Sequence, residues 1–330
     1  MQVLTAQKKI KRFKALWALL LLFLAIRVSA ETTLAQNEEQ QESQEDNRLS
    51  EIEQRFVNSN IAISEWFDGV AESLDLFLAG RKLTTRKNES NVMMESSVFL
   101  REGNQPDNSN SINADLRLPN VEEYWQVKFS TYDESKEKSA LQKSELRKTA
   151  RVRDPGATLG VFRRLGNVRT SFQPRIALTA PIKVSHSLAF ESIADLVDYQ
   201  VNPKLEFFAN PDDGTGIFVA FNMNFILTKV FSLAVFNDSE YFERTHLNNV
   251  TNGLSLGQSL TKKTSFSYNL FFSSNNQPNY HLESYNLALT WHHLVYRNIL
   301  RYNISPNIEF PEDQGFRAVP GIAVNLILQF

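Results

Sequence analysis

The chain contains no cysteine. That excludes thiol catalysis, cysteine-ligated metal and disulfide staples, removes the acceptor for a lipidated N-terminal cysteine, and fits an oxidising compartment where an unpaired thiol is a liability. Beyond Ile26 no apolar run is long enough for a membrane-spanning helix, which needs about 20 residues. A concentrated basic surface is missing too. The formal net charge is −2, and residues 1–30 carry six Lys and Arg and no acid, so a chain lacking them stands at −8. Nucleic acid is thereby excluded as a partner class, because phosphate neutralisation needs clustered Lys and Arg. With 42% hydrophobic residues and no long run, the apolar content must be dispersed.

The N-terminus has the composition of an export signal. Lys8, Lys9, Lys11, Arg12 and Lys14 precede the apolar stretch Ala15 to Ile26, and Val28-Ser29-Ala30 supplies a small-residue cleavage site before Glu31. This predicts a signal peptide over 1–30, cleaved after Ala30, with Thr33-Leu34-Ala35 as a second possible site. Residues 31–48 are rich in Glu, Gln, Ser and Asn and read as a flexible polar leader. Over 49–81, Leu49, Ile52 and Phe56 and then Phe67, Val70, Leu74 and Phe77 recur at helical spacing. Glu65, Asp68, Glu72 and Asp75 are their polar counterparts, and Gly80 is a C-cap. The expectation is an amphipathic periplasmic helix that covers the mouth, enters the lumen or docks on a partner; its acidic face disfavours adsorption to an anionic membrane.

At the other end, Ile322, Val324, Leu326, Leu328 and Phe330 alternate with Gly321, Ala323, Asn325 and Gln329, the period of a strand. A chain that ends on an aromatic at the tip of such a strand resembles bacterial outer-membrane β-barrel proteins. The resemblance implies that Phe330 is an assembly signal read by the barrel-assembly machinery, and that the exterior meets outer-membrane lipids and lipopolysaccharide. It implies a Gram-negative outer-membrane location and covers Val92 to Phe330. Arg297 to Pro306, followed by Phe310-Pro311-Glu312-Asp313, is also similar to a pattern in uncharacterised proteobacterial outer-membrane proteins, a resemblance that brings no catalytic residue.

The interval between these ends supports an all-β, antiparallel transmembrane barrel over 88–330. Trp125, Val127 and Phe129 alternate with Gln126, Lys128 and Ser130; Ile217, Val219, Phe221, Met223 and Phe225 oppose Asn222 and Asn224. Such segments number about fourteen, an even count as single-chain bacterial barrels require. Short connections are expected on the inner side at Pro119-Asn120, Leu165-Asn167, Ala194-Asp195, Thr228-Lys229, Thr261-Lys262 and His292-His293. Longer ones fall outside, the longest being Asp133 to Asp154. Thr179 to Ile182 is too short for an outer loop, which keeps about twelve strands as the alternative.

Alternation places Glu95, Asp115, Arg117, Lys128, Arg169, Arg175, Glu191, Asp198, Lys204, Glu206, Arg297 and Arg301 on the lumen face. They would line a wet channel or pair into a filling network, and about twelve to fourteen strands lies between barrels filled by their side chains and barrels with an aqueous channel. The loop 133–154 carries Lys136, Lys138, Lys143, Arg147, Lys148, Arg151 and Arg153. Its readings are docking on lipopolysaccharide phosphates, a field that draws anions to the pore, or a solvated loop.

Catalysis lacks a constellation. His186-Ser187 are strand neighbours and face opposite sides, so they cannot form a base and nucleophile pair; His246, His281, His292 and His293 carry no recognisable motif. Asn210 to Gly214 lacks the ligand spacing of a calcium loop and reads as a tight turn. Trp125, Tyr241, Tyr280 and Trp291 suit a membrane-interface girdle. No cofactor and no metal site are expected. The function expected is a passive or weakly selective pore for small solutes, with a closed structural or surface-interaction barrel as the alternative and a lipid-modifying enzyme behind both. Nothing in the sequence sets the oligomeric state.

Overall fold

The computed structural model describes residues 38–79, 90–118, 125–143, 147, 150–296 and 299–330, and within the first helix the side chains of 54–73 and 75. The expected export signal, including Ala30, lies outside the described residues.

Fourteen staves form one closed antiparallel sheet: β1 (Asn91–Arg101), β2 (Asp107–Arg117), β3 (Trp125–Ser130), β4 (Gly156–Leu165), β5 (Val168–Ala177), β6 (Lys183–Ser192, continued by Ala194–Asp195), β7 (Tyr199–Asn210), β8 (Gly214–Ile226), β9 (Phe231–Phe242), β10 (Leu247–Ser259), β11 (Thr264–Asn275), β12 (His281–Tyr296), β13 (Leu300–Pro311) and β14 (Val319–Gln329). Each pairs with its neighbours in sequence, and β1 pairs with β14 to close the barrel. Fourteen is therefore the count, and Thr179 to Ile182 is a genuine short connection between β5 and β6.

Period-two patterning explains the two faces. Val98, Leu100, Ile112, Phe129, Val219, Phe221, Leu287, Leu289, Val324 and Leu326 are exposed outward, while Glu95, Ser97, Ser111, Asn269, Thr290, Asn303, Ser305 and Asn325 on the opposite face are buried. An apolar exterior around a polar interior suits hydrocarbon outside and water or polar protein inside, and closure leaves no unpaired edge for lipid to meet. The barrel chain starts and ends on one rim, the terminal end. The opposite rim, the loop end, carries the connection 131–155.

Two connections depart from expectation. His292 and His293 lie within β12, because the alternation of Leu287, Leu289 and Trp291 carries on through them and pairs them with Asn303 and Tyr302. Asp198 sits in the terminal-end turn between β6 and β7, where its carbonyl accepts from the Ile226 amide at 3.0 Å. Pro119-Asn120 lies outside the described residues.

The helix α1 runs Glu38–Ala79, so it takes in most of the stretch expected as a leader. Glu and Gln dominate its start and are good helix formers even without apolar content. It passes from a first compact unit ending at Ser59 into the barrel unit, Asn60–Phe330. Within the latter, Asn60 Nδ2 donates to the Gln329 carbonyl at 3.0 Å, and Asp68 Oδ1 accepts from the Ser90 amide at 3.0 Å. Both contacts fall on the terminal-end rim. The buried side is Asn60, Ala71 and Asp75, while Trp66 and Val70 are exposed. Of the expected apolar face, Phe67 is half-buried and Val70 exposed, while the side chains of Leu74 and Phe77 lie outside the described residues.

Candidate functional site: a loop strapped across the lumen

The connection 131–155 does not stand out from the loop end. Its stem is closed where the Asp154 amide donates to the Thr131 carbonyl at 2.9 Å, and beyond the stem the chain folds into the barrel. The short helix α2 (Ala140–Lys143) buries Leu141 against Phe271 of β11 and Ala288 of β12, with Ala140 and Phe236 around them.

Charge fixes the strap on several walls. Glu95 of β1, deep in the interior, accepts from Arg147 and, at 2.5 Å, from Arg151. The same two guanidiniums reach Ser97 Oγ at 3.1 Å and Ser111 Oγ at 3.0 Å. Arg151 also meets Glu137 at 2.7 Å within the loop. On the far wall, Lys138 Nζ pairs with Glu240 of β9 at 2.8 Å and lies 3.3 Å from the centre of the Phe208 ring, and Asp238 accepts from the Ala140 amide. Asp133 pairs with Arg175 of β5 at 3.2 Å. Gly156 makes that approach possible, since a Cβ there would sit 2.5 Å from the Arg175 guanidinium.

For Lys138, Arg147 and Arg151 the solvated reading of the basic loop is corrected. Lys138 and Arg147 are neither solvated nor presented outward; each neutralises a carboxylate on a barrel wall far away in sequence. A buried ion pair is tolerable only when its charges and remaining hydrogen-bonding atoms are matched, and the lumen carboxylates supply that match. Lys136 reaches Asp212 at the loop end at 3.6 Å, and Arg153 is exposed. Lys148 lies outside the described residues.

A cavity of about 340 Å³ remains beside the strap, lined by Lys128, Lys143, Arg151, Arg175, Lys204 and Glu206 among others. Lys128 pairs with Glu134 at 3.5 Å, and Lys204 with Glu206 at 2.7 Å and Glu191 at 3.4 Å. Within the loop, burial and then the nearby Lys204 cation lower the Lys143 pKa below the usual lysine range. Burial and the Glu134 charge push the Tyr132 phenol well up. Arg169 lies 4.4 Å from the Phe162 ring, Asp115 is half-buried and Arg117 is exposed. Arg297 lies outside the described residues.

At the loop end Asp212 is held below the usual carboxylate range by its hydrogen bond from Lys183 and by Lys136. The contact is complete above the ordinary carboxylate value and is lost as pH falls through the depressed one. Following the Asp212 carboxyl by NMR should show it titrating below the ordinary aspartate value, with Lys183→Met moving the midpoint upward. A wild-type midpoint at the ordinary value contradicts the assignment. Asn210 Oδ1 accepts from the Asp212 and Asp213 amides at 2.8 and 2.7 Å, and Gly214 has φ +82°, so this stretch is the expected tight turn.

A second cavity, of about 490 Å³, opens at the terminal end between β9 and β13. Of its cations the sequence places only Arg301 on the lumen face; Lys262 falls in the expected turn Thr261-Lys262, and Lys263 follows it beside alternating serines. Among the described residues no group of three or more His, Asp and Glu is placed to hold a metal ion.

A closed, even-numbered antiparallel barrel with an apolar exterior and a charged interior is the architecture of bacterial outer-membrane β-barrels, and by fold this chain is one. No protein-family model and no curated protein matches the sequence. Among solved structures it is similar to an outer-membrane channel of Acinetobacter baumannii, DcaP, with 5% identity, TM-score 0.44, and 74% of this chain and 97% of that one covered. It is also similar to OccK11 of Pseudomonas aeruginosa, with 7% identity, TM-score 0.41 and coverage of 73% and 95%. A third is OmpT, an outer-membrane protein of Vibrio cholerae, with 7% identity, TM-score 0.41 and coverage of 76% and 99%.

Proposed function

We propose that this chain is a narrow passive pore of the Gram-negative outer membrane for small polar solutes. It is exported by its N-terminal signal with cleavage after Ala30, and surrounded by outer-membrane lipid and lipopolysaccharide. The supporting observation is the strap: a loop held across the lumen by ionic contacts rather than a continuous apolar plug, with charged, hydroxyl-rich cavities left at two levels of the interior. Such a filling narrows a channel without sealing it in hydrocarbon. Binding and passage suit this interior: His292 is engaged by Ser267 and Asn303, His293 by Thr264 and His246 by Tyr241, and His281, beside Glu312 at 3.1 Å, has its other ring nitrogen on the Asn279 carbonyl.

A specific observation favours the closed alternative. Ser305 and Asn325 on the inner face are fully buried, and Asn303 and Ser97 nearly so. Conductance in planar bilayers decides between the two. Full-length protein is expected to give small, steady unitary currents, and a form lacking residues 31–80 currents at least as large. Absence of ion flux in both folded forms would establish the closed reading.

A further inference from the structure

The two cavities differ in how their charges are satisfied. Beside the strap most of the cations are paired, Lys128 with Glu134, Arg151 with Glu137 and Lys204 with Glu206, and Lys143 makes no ion pair among the described residues. The terminal-end cavity is lined by Lys262, Lys263 and Arg301 and by no carboxylate. None of the three makes an ion pair among the described residues, and the acids of α1 nearest that rim are committed elsewhere, Asp68 to the Ser90 amide and Asp75 in a buried contact.

Local chemistry around these cations is that of an oxyanion cradle. Ser232, Ser259, Ser265 and Ser267 present hydroxyls from three adjacent strands. Gly257 keeps the floor open, since a Cβ there would sit 2.7 Å from the Ser232 hydroxyl. His292 Nδ1 lies 2.9 Å from Asn303 Oδ1, an oxygen that only accepts, so the ring carries its proton on Nδ1. Its Nε2 is 3.1 Å from Ser267 Oγ, which orients that hydroxyl as well. Arg301 and Asn303 are two apart on β13 and share the inner face, and Lys263, in the turn just before β11, lines the same recess.

We infer that this recess is an anion site, selecting small oxyanions and carboxylates at the terminal mouth of the pore. The inference rests on the pore reading and adds to it the charge of the solute. A cleft lined by one sign of charge against low-dielectric walls concentrates the opposite ion, and the Ser232, Ser259 and Ser265 hydroxyls add directional donors. Orthophosphate and small carboxylates share the chemistry required.

The test is the reversal potential of the full-length protein in a planar bilayer under a potassium chloride gradient, with folding of each form checked by heat-modifiable gel migration. Wild type is expected to prefer chloride over potassium by about threefold or more, with orthophosphate reducing the chloride current. Lys263→Glu combined with Arg301→Glu should bring the ratio below one and abolish the phosphate effect, while Arg153→Glu on the exposed loop leaves both in place. A conducting wild type without anion preference, or a double variant that keeps it, overturns the inference and leaves the pore standing. A folded wild type that carries no current overturns the pore reading, and the anion site as its filter falls with it.

Discussion

Glu95→Gln is expected to release the strap. The carboxylate holds two buried guanidiniums, Arg147 and Arg151, and glutamine leaves Arg147 with no counterion among the described residues and Arg151 with Glu137 alone. Removing one partner of a buried pair costs about 3–5 kcal/mol, more than the few apolar contacts of α2 offset. The strap therefore leaves the lumen before the barrel unfolds, since the strand ladders do not depend on it. Unitary conductance should rise several-fold, and trypsin should cut at Arg147 or Arg151 from the loop side where wild type resists. Unchanged conductance together with unchanged proteolysis would show that the strap is held by something other than this pair. Glu95→Asp, which retains the charge at shorter reach, should fall between the two.

Excising Glu134 to Val152 and joining the ends by a short Gly-Ser linker is expected to give the largest pore. The stem permits it: Thr131 and Asp154 are already hydrogen-bonded at 2.9 Å, so the register of β3 with β4 survives the splice and the closing entropy of a shorter loop is small. Glu95, Asp238 and Glu240 then lose their partners, but water enters with the vacancy and hydrates them. Conductance should exceed that of Glu95→Gln, and large osmolytes that wild type excludes should pass in liposome swelling. A folded barrel of wild-type conductance would mean that the limit lies elsewhere along the lumen, and the terminal recess would be the next place to look.

Staves were legible in the sequence because lipid outside and polar groups inside impose a strict period of two. Ile217, Val219 and Phe221 announce their face without reference to any other strand, and so do Leu287, Leu289 and Trp291. The strap was not legible. Lys138, Arg147 and Arg151 read as a surplus of positive charge because their counterions sit on β9 and β1, far from them in the chain, and no local pattern encodes that pairing. Glu95, placed on the lumen face by the same alternation, is the counterion of two of those loop cations, whereas Glu206 finds its partner, Lys204, on its own strand. On the helix, Asn60 and Asp68 bond to backbone groups at the strand rim, contacts that hydrophobic periodicity does not announce. His292 and His293 were set in a turn because polarity was taken to mean a bend, yet His292 belongs to the polar inner face with Asn303, and His293 packs on the other face against Trp291 and Tyr302.

The seam between β1 and β14 has a temporal meaning. Phe330 donates to the Val92 carbonyl at 2.8 Å, and Val92 donates back at 3.2 Å. The pair joins the two extremities of the barrel sequence, so it is the contact of greatest sequence separation in the sheet and forms against the largest loop-closure entropy. Until it forms, β1 and β14 are both open edges, each a template for a foreign strand. The last residue is thus also the last to be satisfied, and the chain stays open to pairing with another protein's strand until the moment its own ends meet.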